Sequence, residues 1–257
     1  MKQYCFIQCL GKRKVPNEKD WYNIAPGGMN RFYYINGGEG GYYLRGKKHY
    51  FKKGYLYFIP GYDAIPTWSS YESYEKRLDH TYVNFELVPP IITKDVIEFD
   101  PNSDPLVSVA TSAITKIAEP NTGLWLRNLK NEELQYLKAN IIFILDKMTA
   151  VGYLKKLDDE IIISALEKMH KNISKNVSIK EIAENSFISY EGLIRRFNKV
   201  LGMTPYNYLK QLRIRTASAL RAEGATLEEI ASRCGYSDAC ALLHAISNEK
   251  KLLKTKT

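Results

Sequence analysis

Between Arg31 and Leu87 apolar and polar side chains alternate in short runs, and turn-forming residues break the runs. The runs Arg31–Ile35, Gly41–Leu44, Lys47–Phe51, Tyr55–Ile59 and His80–Leu87 are separated by Asn36-Gly37-Gly38, Arg45-Gly46, Lys52-Lys53-Gly54 and Pro60-Gly61. Glycine, asparagine and proline supply the backbone angles that a tight reversal needs, so the pattern predicts short strands joined by turns. Strands this short and evenly spaced imply a barrel or jelly roll.

Past Pro101 the period becomes helical. Leu106 to Ala118 predicts a first helix, closed by Glu119-Pro120 and an Asn-Thr-Gly turn. A second runs from about Asn128 to Val151, where Leu134, Leu137, Ile141, Ile144, Met148 and Val151 follow a heptad seam. Ile142, Phe143 and Leu145 widen that stripe, so one side is expected on the β region and the other on a second chain, the alternative being a core helix of a monomer. Gly152-Tyr153-Leu154-Lys155-Lys156 reads as a short linker. The helix from Asp158 to about Asn172 opens with three acids at its positive end and buries Ile161, Ile162, Ala165, Leu166 and Met169.

The last third holds one pattern twice. Glu181-Ile182-Ala183-x-x-x-Phe187-Ile188-Ser189 recurs 48 residues later as Glu229-Ile230-Ala231-x-x-x-Gly235-Tyr236-Ser237, with one extra residue after the second serine. Ser178-x-x-Glu181 and Thr226-x-x-Glu229 are capping boxes that each start a helix. Ala183 and Ala231 let two helix axes approach, and Ser189 and Ser237 are placed to cap the next helices. Leu193, Phe197 and Val200 form a buried stripe, leaving Tyr190, Glu191, Arg195, Arg196, Asn198 and Lys199 on an open face. Each copy is therefore a helix-turn-helix, whose second helix suits the major groove. Pro205 to Glu223 predicts a helix bridging the two, with Tyr208, Leu209, Leu212 and Ala219 inward and Lys210, Arg213, Arg215 and Arg221 polar.

Charge sharpens this reading. The 257 residues carry +9, and from Lys171 onward 15 Lys and Arg stand against 8 Asp and Glu, so +7 lies in the last third. A basic region favours a polyanion, although charge alone is equally that of a solvated surface. The length suits two domains. Cys5, Cys9, Cys234 and Cys240 have no C-x-x-C or zinc spacing, and reduced thiols in a cytosol are expected. Neither a signal peptide nor a membrane span is evident, which implies a cytoplasmic protein without a membrane partner.

Two motifs joined by a helix opening Gly202-Met203-Thr204-Pro205 and continuing Tyr208-Leu209-x-x-x-Arg213, with Ala-x-x-x-Gly-Tyr-Ser-Asp from Ala231 to Asp238, resemble the AraC/XylS family of bacterial transcription regulators. The resemblance covers about residues 158–250. It implies a sequence-specific DNA-binding regulator, cytoplasmic and homodimeric, acting as an activator or repressor beside RNA polymerase. It places Arg195 at a base-contacting position, flanked by Glu191 and Ile194. Arg196 and Lys199 are the phosphate candidates, Tyr190 lies on the same face, and Ser237, Leu243 and His244 are the candidates in the second motif. Three features depart from the family: Phe187 for the turn glycine, His244 for an arginine beside small Ala239, Cys240 and Ala241, and a Lys-Leu-Leu-Lys-Thr-Lys-Thr end. They imply a second motif that binds weakly or through the backbone.

Upstream, Gly38-Glu39-Gly40, Gly46-Lys47 and Lys53-Gly54-x-x-x-x-Ile59-Pro60-Gly61 resemble the cupin-like sensor domain that precedes many such DNA-binding halves. Thirteen of the 19 tyrosines fall within the first 90 residues, with Trp21 and Trp68. Core packing accounts for many of these, and a small barrel whose mouth holds one ligand is the functional reading. By that resemblance Tyr34, Asn36, Trp68, His80 and Tyr82 are the ligand candidates, with carbohydrate as the candidate effector class.

Catalysis is not expected: only His49 and His80 fall in the β region, the Pro60–Ile65 turn lacks a histidine, and no nucleophile triad or phosphate loop is present. No cofactor and no metal are implied. The rival reading is a cupin-type sugar-binding module or enzyme whose helical half mediates assembly. The expected architecture is α+β in two domains. Residues 1–152 form a jelly-roll, cupin-like sensor with dimerisation helices, pairing through helix 128–151, and residues 153–257 form an all-α double helix-turn-helix.

Overall fold

The computed structural model describes residues 4–15, 29–61, 65–118 apart from 89, 92 and 94, 129–222 apart from 155, 156 and 176, and 224–254. Trp21, the turn expected at 119–123, Asn128, the linker lysines Lys155 and Lys156, and the last three residues lie outside the described residues. The chain is α+β and divides into two units, Met1–Leu157 and Asp158–Thr257.

The first unit contains β1 (Tyr4–Lys14), β2 (Asn30–Gly37), β3 (Gly40–Leu44), β4 (Lys47–Tyr50), β5 (Leu56–Ile59), β6 (Thr67–Ser69), β7 (Asp79–Val88) and β8 (Ile97–Phe99), then helices α1 (Pro105–Ala118) and α2 (Asn131–Ala150). A five-stranded sheet has the order β1-β7-β2-β5-β8, and a three-stranded sheet the order β4-β3-β6. The alternation marked β2, β3, β4, β5 and β7 but not β1, β6 or β8. In β1 the period of two is broken by a bulge, because Ile7 faces Phe85 while Cys9 faces Asn84. Cys5, Ile7 and Leu10 therefore share one core despite their uneven spacing.

The two faces of the large sheet carry different cores. Leu10, Phe32, Phe58, Val83 and Phe85 pack with the helices, with Phe32 5.7 Å from Phe58 and 5.1 Å from Phe85 between ring centres. On the other face Tyr33, Ile35, Tyr57, Ile59 and Tyr82 meet Tyr42, Phe51 and Leu78. Rings fill that second space: Phe51 lies 4.7 Å from Tyr57, 5.6 Å from Tyr42 and 6.1 Å from Tyr33.

His80 sits in this ring-filled space, 1% exposed and 4.6 Å from the Tyr33 ring. Burial, with the positive charge of Arg13 as the smaller cause, lowers its pKa to about 3. The folded chain therefore stays neutral at His80 where the unfolded chain takes up a proton. That preference leaves stability intact above the unfolded value and removes it as pH falls below about 6.5, by about 1.4 kcal/mol per pH unit. Melting curves of wild type and His80→Asn at pH 7 and pH 5 check this: the wild type should lose more than the variant.

Asp104 starts α1, its Oδ1 accepting from Leu106 N at 2.9 Å and its Oδ2 from Lys147 Nζ of α2 at 2.8 Å. The Lys147 ammonium holds the Asp104 carboxyl below the usual carboxylate range. In α2, Leu137, Ile141, Ile144, Leu145 and Met148 are all 0% exposed, in the same core as the sheet. This corrects the expected dimer seam. Four of the six seam residues are consumed inside their own chain, Leu134 is partly buried and Val151 is exposed. A wide core stripe and a heptad seam share their first members, and Leu145 marks the wider kind.

The second unit consists of α3 (Glu160–Lys171), α4 (Ile179–Glu184), α5 (Tyr190–Leu201), α6 (Pro205–Ala222), α7 (Leu227–Arg233) and α8 (Ala239–Lys254). Both capping boxes are formed: Ser178 Oγ accepts from Glu181 N at 3.1 Å, and Glu181 Oε2 accepts from Ser178 N at 2.8 Å. Thr226 and Glu229 repeat the exchange at 3.2 and 2.9 Å. Replacing Ser178 by alanine should cost about 1 kcal/mol, read from the denaturant midpoint. Ala183 and Ala231 are buried, as a close helix crossing requires. Arg215, expected on a polar face, is buried, and Ile161 is only half-buried.

Candidate nucleic-acid interface

The second helix of the first motif, α5, is held from below. Leu193, Phe197 and Leu201 are its buried residues, so the stripe runs at i, i+4, i+8 and ends on Leu201, with Val200 half-buried. Phe197 meets the Tyr208 ring of α6 edge-on at 6.1 Å, and Tyr208 Oη lies 2.9 Å from His170 Nε2 of α3. Together with α4, which also packs on α5, α6 and α3 fix the rotation of α5 about its axis. Ser189 Oγ accepts from Gly192 N at 3.1 Å and starts the helix. At its far end Gly202 adopts φ 67, the left-handed stop that glycine favours.

With that rotation fixed, Tyr190, Glu191, Arg195, Arg196 and Lys199 are exposed and Ile194 is half-buried. Arg196 reaches Asp159 Oδ1 at 3.5 Å across a half-exposed contact, worth well under about 1 kcal/mol. Arg195 and Lys199 have no ion pair or hydrogen bond within the chain among the described residues. Two cations and a carboxylate, Glu191, therefore stand on a rigid, open helix face.

The second motif differs. Asp238, not Ser237, caps α8: Asp238 Oδ1 accepts from Ala241 N at 2.7 Å, and Ser237 Oγ donates to Asp238 Oδ2 at 2.9 Å. The extra residue after Ser237 moves the cap one place along. The Ala241 N–H, with the Ser237 hydroxyl, holds the Asp238 carboxyl below its ordinary value. Leu243 and His244 are exposed, and His244 Nδ1 lies 3.3 Å from Asn248 Nδ2. Between Ala239 and Glu249 there is no Lys or Arg, so this face cannot neutralise phosphate as α5 can. Behind it, Tyr206, Asn207, Lys210 and Arg213 of α6 join His244 and Asn248 around a cleft of about 290 Å³. Those α6 residues follow i, i+1, i+4, i+7, a polar stripe that periodicity could have marked as one face.

The turns of the two motifs share a backbone. Phe187 has φ 55 and its counterpart Gly235 has φ 73, both left-handed. A side chain other than glycine carries roughly 1–2 kcal/mol of strain there.

The five ligand candidates of the first unit do not share a cavity. His80 and Tyr82 are buried between the sheets, whereas Tyr34 packs against the helix-side core. Asn36 Nδ2 donates to Asp79 Oδ1 at 3.1 Å and Thr81 Oγ1 at 3.3 Å, so it serves the β2–β7 pairing. Trp68 pairs opposite Gly41, with the Lys48 ammonium 3.7 Å over its ring and Tyr50 edge-on at 5.1 Å. Lys48 and Tyr50 alternate with His49, which stacks on inward-facing Tyr42 at 4.9 Å, so Trp68 lies on the outer side of the small sheet. Alternation gave each residue a face, but not which sheet or which core that face belonged to. Among the described residues no group of three or more His, Cys, Asp or Glu is placed to hold a metal ion. Burial raises the Cys5 thiol to about 12 and Cys9 to about 11, leaving both unreactive.

Residues 182–252 match the family model described as a helix-turn-helix domain. An AraC-like protein of Streptomyces lividans is 33% identical over 92 residues, 35% of this chain and 30% of that one. The C-terminal unit is an AraC-type helix-turn-helix domain. The lactose operon transcription activator of Staphylococcus xylosus is 27% identical over 107 residues, 41% of this chain and 38% of that one. The chain thus spans 30 to 38% of the length of these relatives. The fold extends further. ToxT from Vibrio cholerae, solved with an unsaturated fatty acid bound, has a TM-score of 0.57 at 11% identity, covering 96% of this chain and 91% of that one. Its apo K231A form gives 0.56 at 10% identity, over 96% and 92%. The overall fold is therefore shared with a solved structure over nearly the whole chain. No helix among the described residues is long and apolar enough to cross a membrane.

Proposed function

We propose that the protein is a sequence-specific, double-stranded-DNA-binding transcription regulator whose N-terminal unit answers to a small-molecule effector. The observation that carries this is the uncommitted Arg195 and Lys199 on a helix whose rotation three neighbours fix. Arginine can grip guanine O6 and N7 together, Glu191 can accept from cytosine N4, and Ile194 can touch a thymine methyl. Arg196 and Lys199 position the helix on phosphate, and Tyr190 adds a polar contact at its start. The second motif, through Ser237, Leu243 and His244, contributes shape and apolar contact more than charge. Full-length protein titrated into a labelled duplex should lose affinity steeply between 50 and 200 mM salt, by roughly tenfold for every few phosphates neutralised. Affinity independent of salt would contradict a phosphate-borne footprint.

We also propose a homodimer, now through a different surface from the α2 seam. Leu106 and Val109 of α1 and Tyr136 of α2 are exposed apolar residues, and Val109, Ala113, Ile117 and Tyr136 line a groove of about 690 Å³. Val109→Glu should convert a dimer to a monomer in sedimentation while leaving its melting temperature within a few degrees, since Val109 is exposed. An unchanged dimer would move the interface elsewhere.

For the effector, one relative's name speaks of a lactose operon, and one fold neighbour was solved with an unsaturated fatty acid. Melting the protein with a sugar panel and with long-chain fatty acids assigns the class. A ligand at 100 times its Kd adds about 2.7 kcal/mol, and the class that produces that rise is the effector. The protein would act in the cytoplasm, with RNA polymerase as its neighbour on DNA.

A further inference from the structure

The outer side of the three-stranded sheet carries a platform of rings. Across its strands Tyr50, Gly41 and Trp68 stand in one row, and Lys48 and Tyr43 pair in the next. Residues two apart on a strand share a face, so these five look the same way. Gly41 is the floor: a Cβ there would stand 2.9 Å from Trp68 Nε1, so the indole lies against bare backbone. Tyr50 meets Trp68 edge-on at 5.1 Å, and the Lys48 ammonium lies 3.7 Å from the indole centre and 5.3 Å from that of Tyr50. Tyr43 and Tyr50 are exposed and Trp68 is half-buried. Rings braced by one another on strands hold their places better than rings on a loop.

Charge selects the partner. From Gly40 to Gly61 there are five cations, Arg45, Lys47, Lys48, Lys52 and Lys53, and no carboxylate. Arg45 pairs with Asp95 and Lys52 with Glu98. Lys47, Lys48 and Lys53 are exposed and make no ion pair within the chain among the described residues. Lysines alone on β4 are the ordinary guard of a sheet edge, but that guard gives no reason for three rings and a glycine floor beside them. Occupants of like charge are disfavoured. A second copy pairing along β4 would set lysine against lysine, and the chain's own second unit is basic, with 16 Lys and Arg against 12 Asp and Glu from Asp158 onward. Membrane binding scales with the apolar area sunk among acyl chains, and the β3–β4 tip is Arg45-Gly46. Unpaired nucleotides match both features: their phosphates are anionic and their bases are open to stacking, whereas bases in a duplex are already stacked. We propose that the outer face of β4-β3-β6 binds single-stranded nucleic acid, with bases stacked on Tyr50 and Tyr43 and phosphates drawn to Lys48 and its neighbours. This site stands apart from α5 and does not rest on the role given to that helix.

The test irradiates the full chain, with p-benzoylphenylalanine in place of Tyr50, beside labelled oligo(dT) or oligo(rU) of about 20 nucleotides. A crosslink to the strand is expected, the stronger of the two assigning DNA or RNA, and none from the same probe at Tyr136 of α2. Tyr50→Thr keeps the strand propensity and removes the ring, and should weaken single-strand affinity at least about fivefold. Lys48→Gln should reduce the salt slope of that affinity by about 0.7. Both variants should melt within a few degrees of wild type and bind the selected duplex within twofold. A probe that reacts only with its own chain or a second copy would overturn the proposal. So would tighter binding to phosphatidylserine vesicles than to either strand, or single-strand binding that Lys199→Ala removes and Tyr50→Thr does not. The single-strand arm needs no operator, so a wild-type chain that selects no duplex would count against the role of α5 and leave this result readable.

Discussion

Truncating Phe197 to alanine is expected to destabilise the AraC-type domain by about 3–5 kcal/mol, a large part of the roughly 5–15 kcal/mol that holds a domain folded. The ring is fully buried and meets Tyr208, which in turn is linked to His170. Removing it opens a cavity under α5 and frees the helix to rotate, so DNA binding should fall with stability. Val200→Ala is the control: Val200 is one helical turn along but half-buried, and its loss should cost about 1 kcal/mol or less. Denaturant unfolding of both variants decides. A Phe197→Ala loss no larger than that of Val200→Ala would mean that α5 is not mounted as described.

The second large effect is at the reading face. Arg195→Ala should cost about 1–3 kcal/mol on the preferred duplex and relax discrimination at a single base pair. Arg195 is exposed and makes no ion pair within the chain among the described residues, so its removal should leave the melting temperature unchanged. Lys199→Ala should act otherwise, weakening binding to all sequences alike and reducing the salt slope by about one. The pair separates base reading from phosphate anchoring in one experiment. Should Arg195→Ala bind every single-base variant of the duplex as wild type does, Arg195 touches no base.

How much of this was written in the sequence depends on the range of the interactions involved. The double helix-turn-helix was legible because its signals are local. A capping box spans four residues, a buried stripe repeats every turn, and Ser178, Glu181, Ala183 and Ser189 carry them in order. Even the shift of the second cap to Asp238 was foreshadowed by the one-residue offset after Ser237. In the sheet unit, strands were legible but partners were not. Alternation assigns Tyr34 and Tyr33 to opposite faces without saying that one face meets helices and the other a second sheet. A ligand set carried over from the family resemblance therefore scattered over several environments. The bulge at Gln8 hid β1 for the same reason, since a period of two broken once no longer reads as a strand. In α2 the pattern was correctly apolar, and only the fold shows that the sheet, not a second chain, covers Leu137, Ile141, Ile144 and Met148.

The strained turn shows the converse. The left-handed demand at position 187 could be inferred from its counterpart Gly235, but its full exposure could not, because exposure depends on what the rest of the domain leaves uncovered.

Selection of bound duplexes from a random pool by the full-length protein tests the central claim most directly, that α5 reads base sequence. The account predicts enrichment of a defined motif containing a guanine whose preference disappears in a parallel selection with Arg195→Ala. A pool that stays random with the wild type, or an identical motif from both proteins, would contradict it.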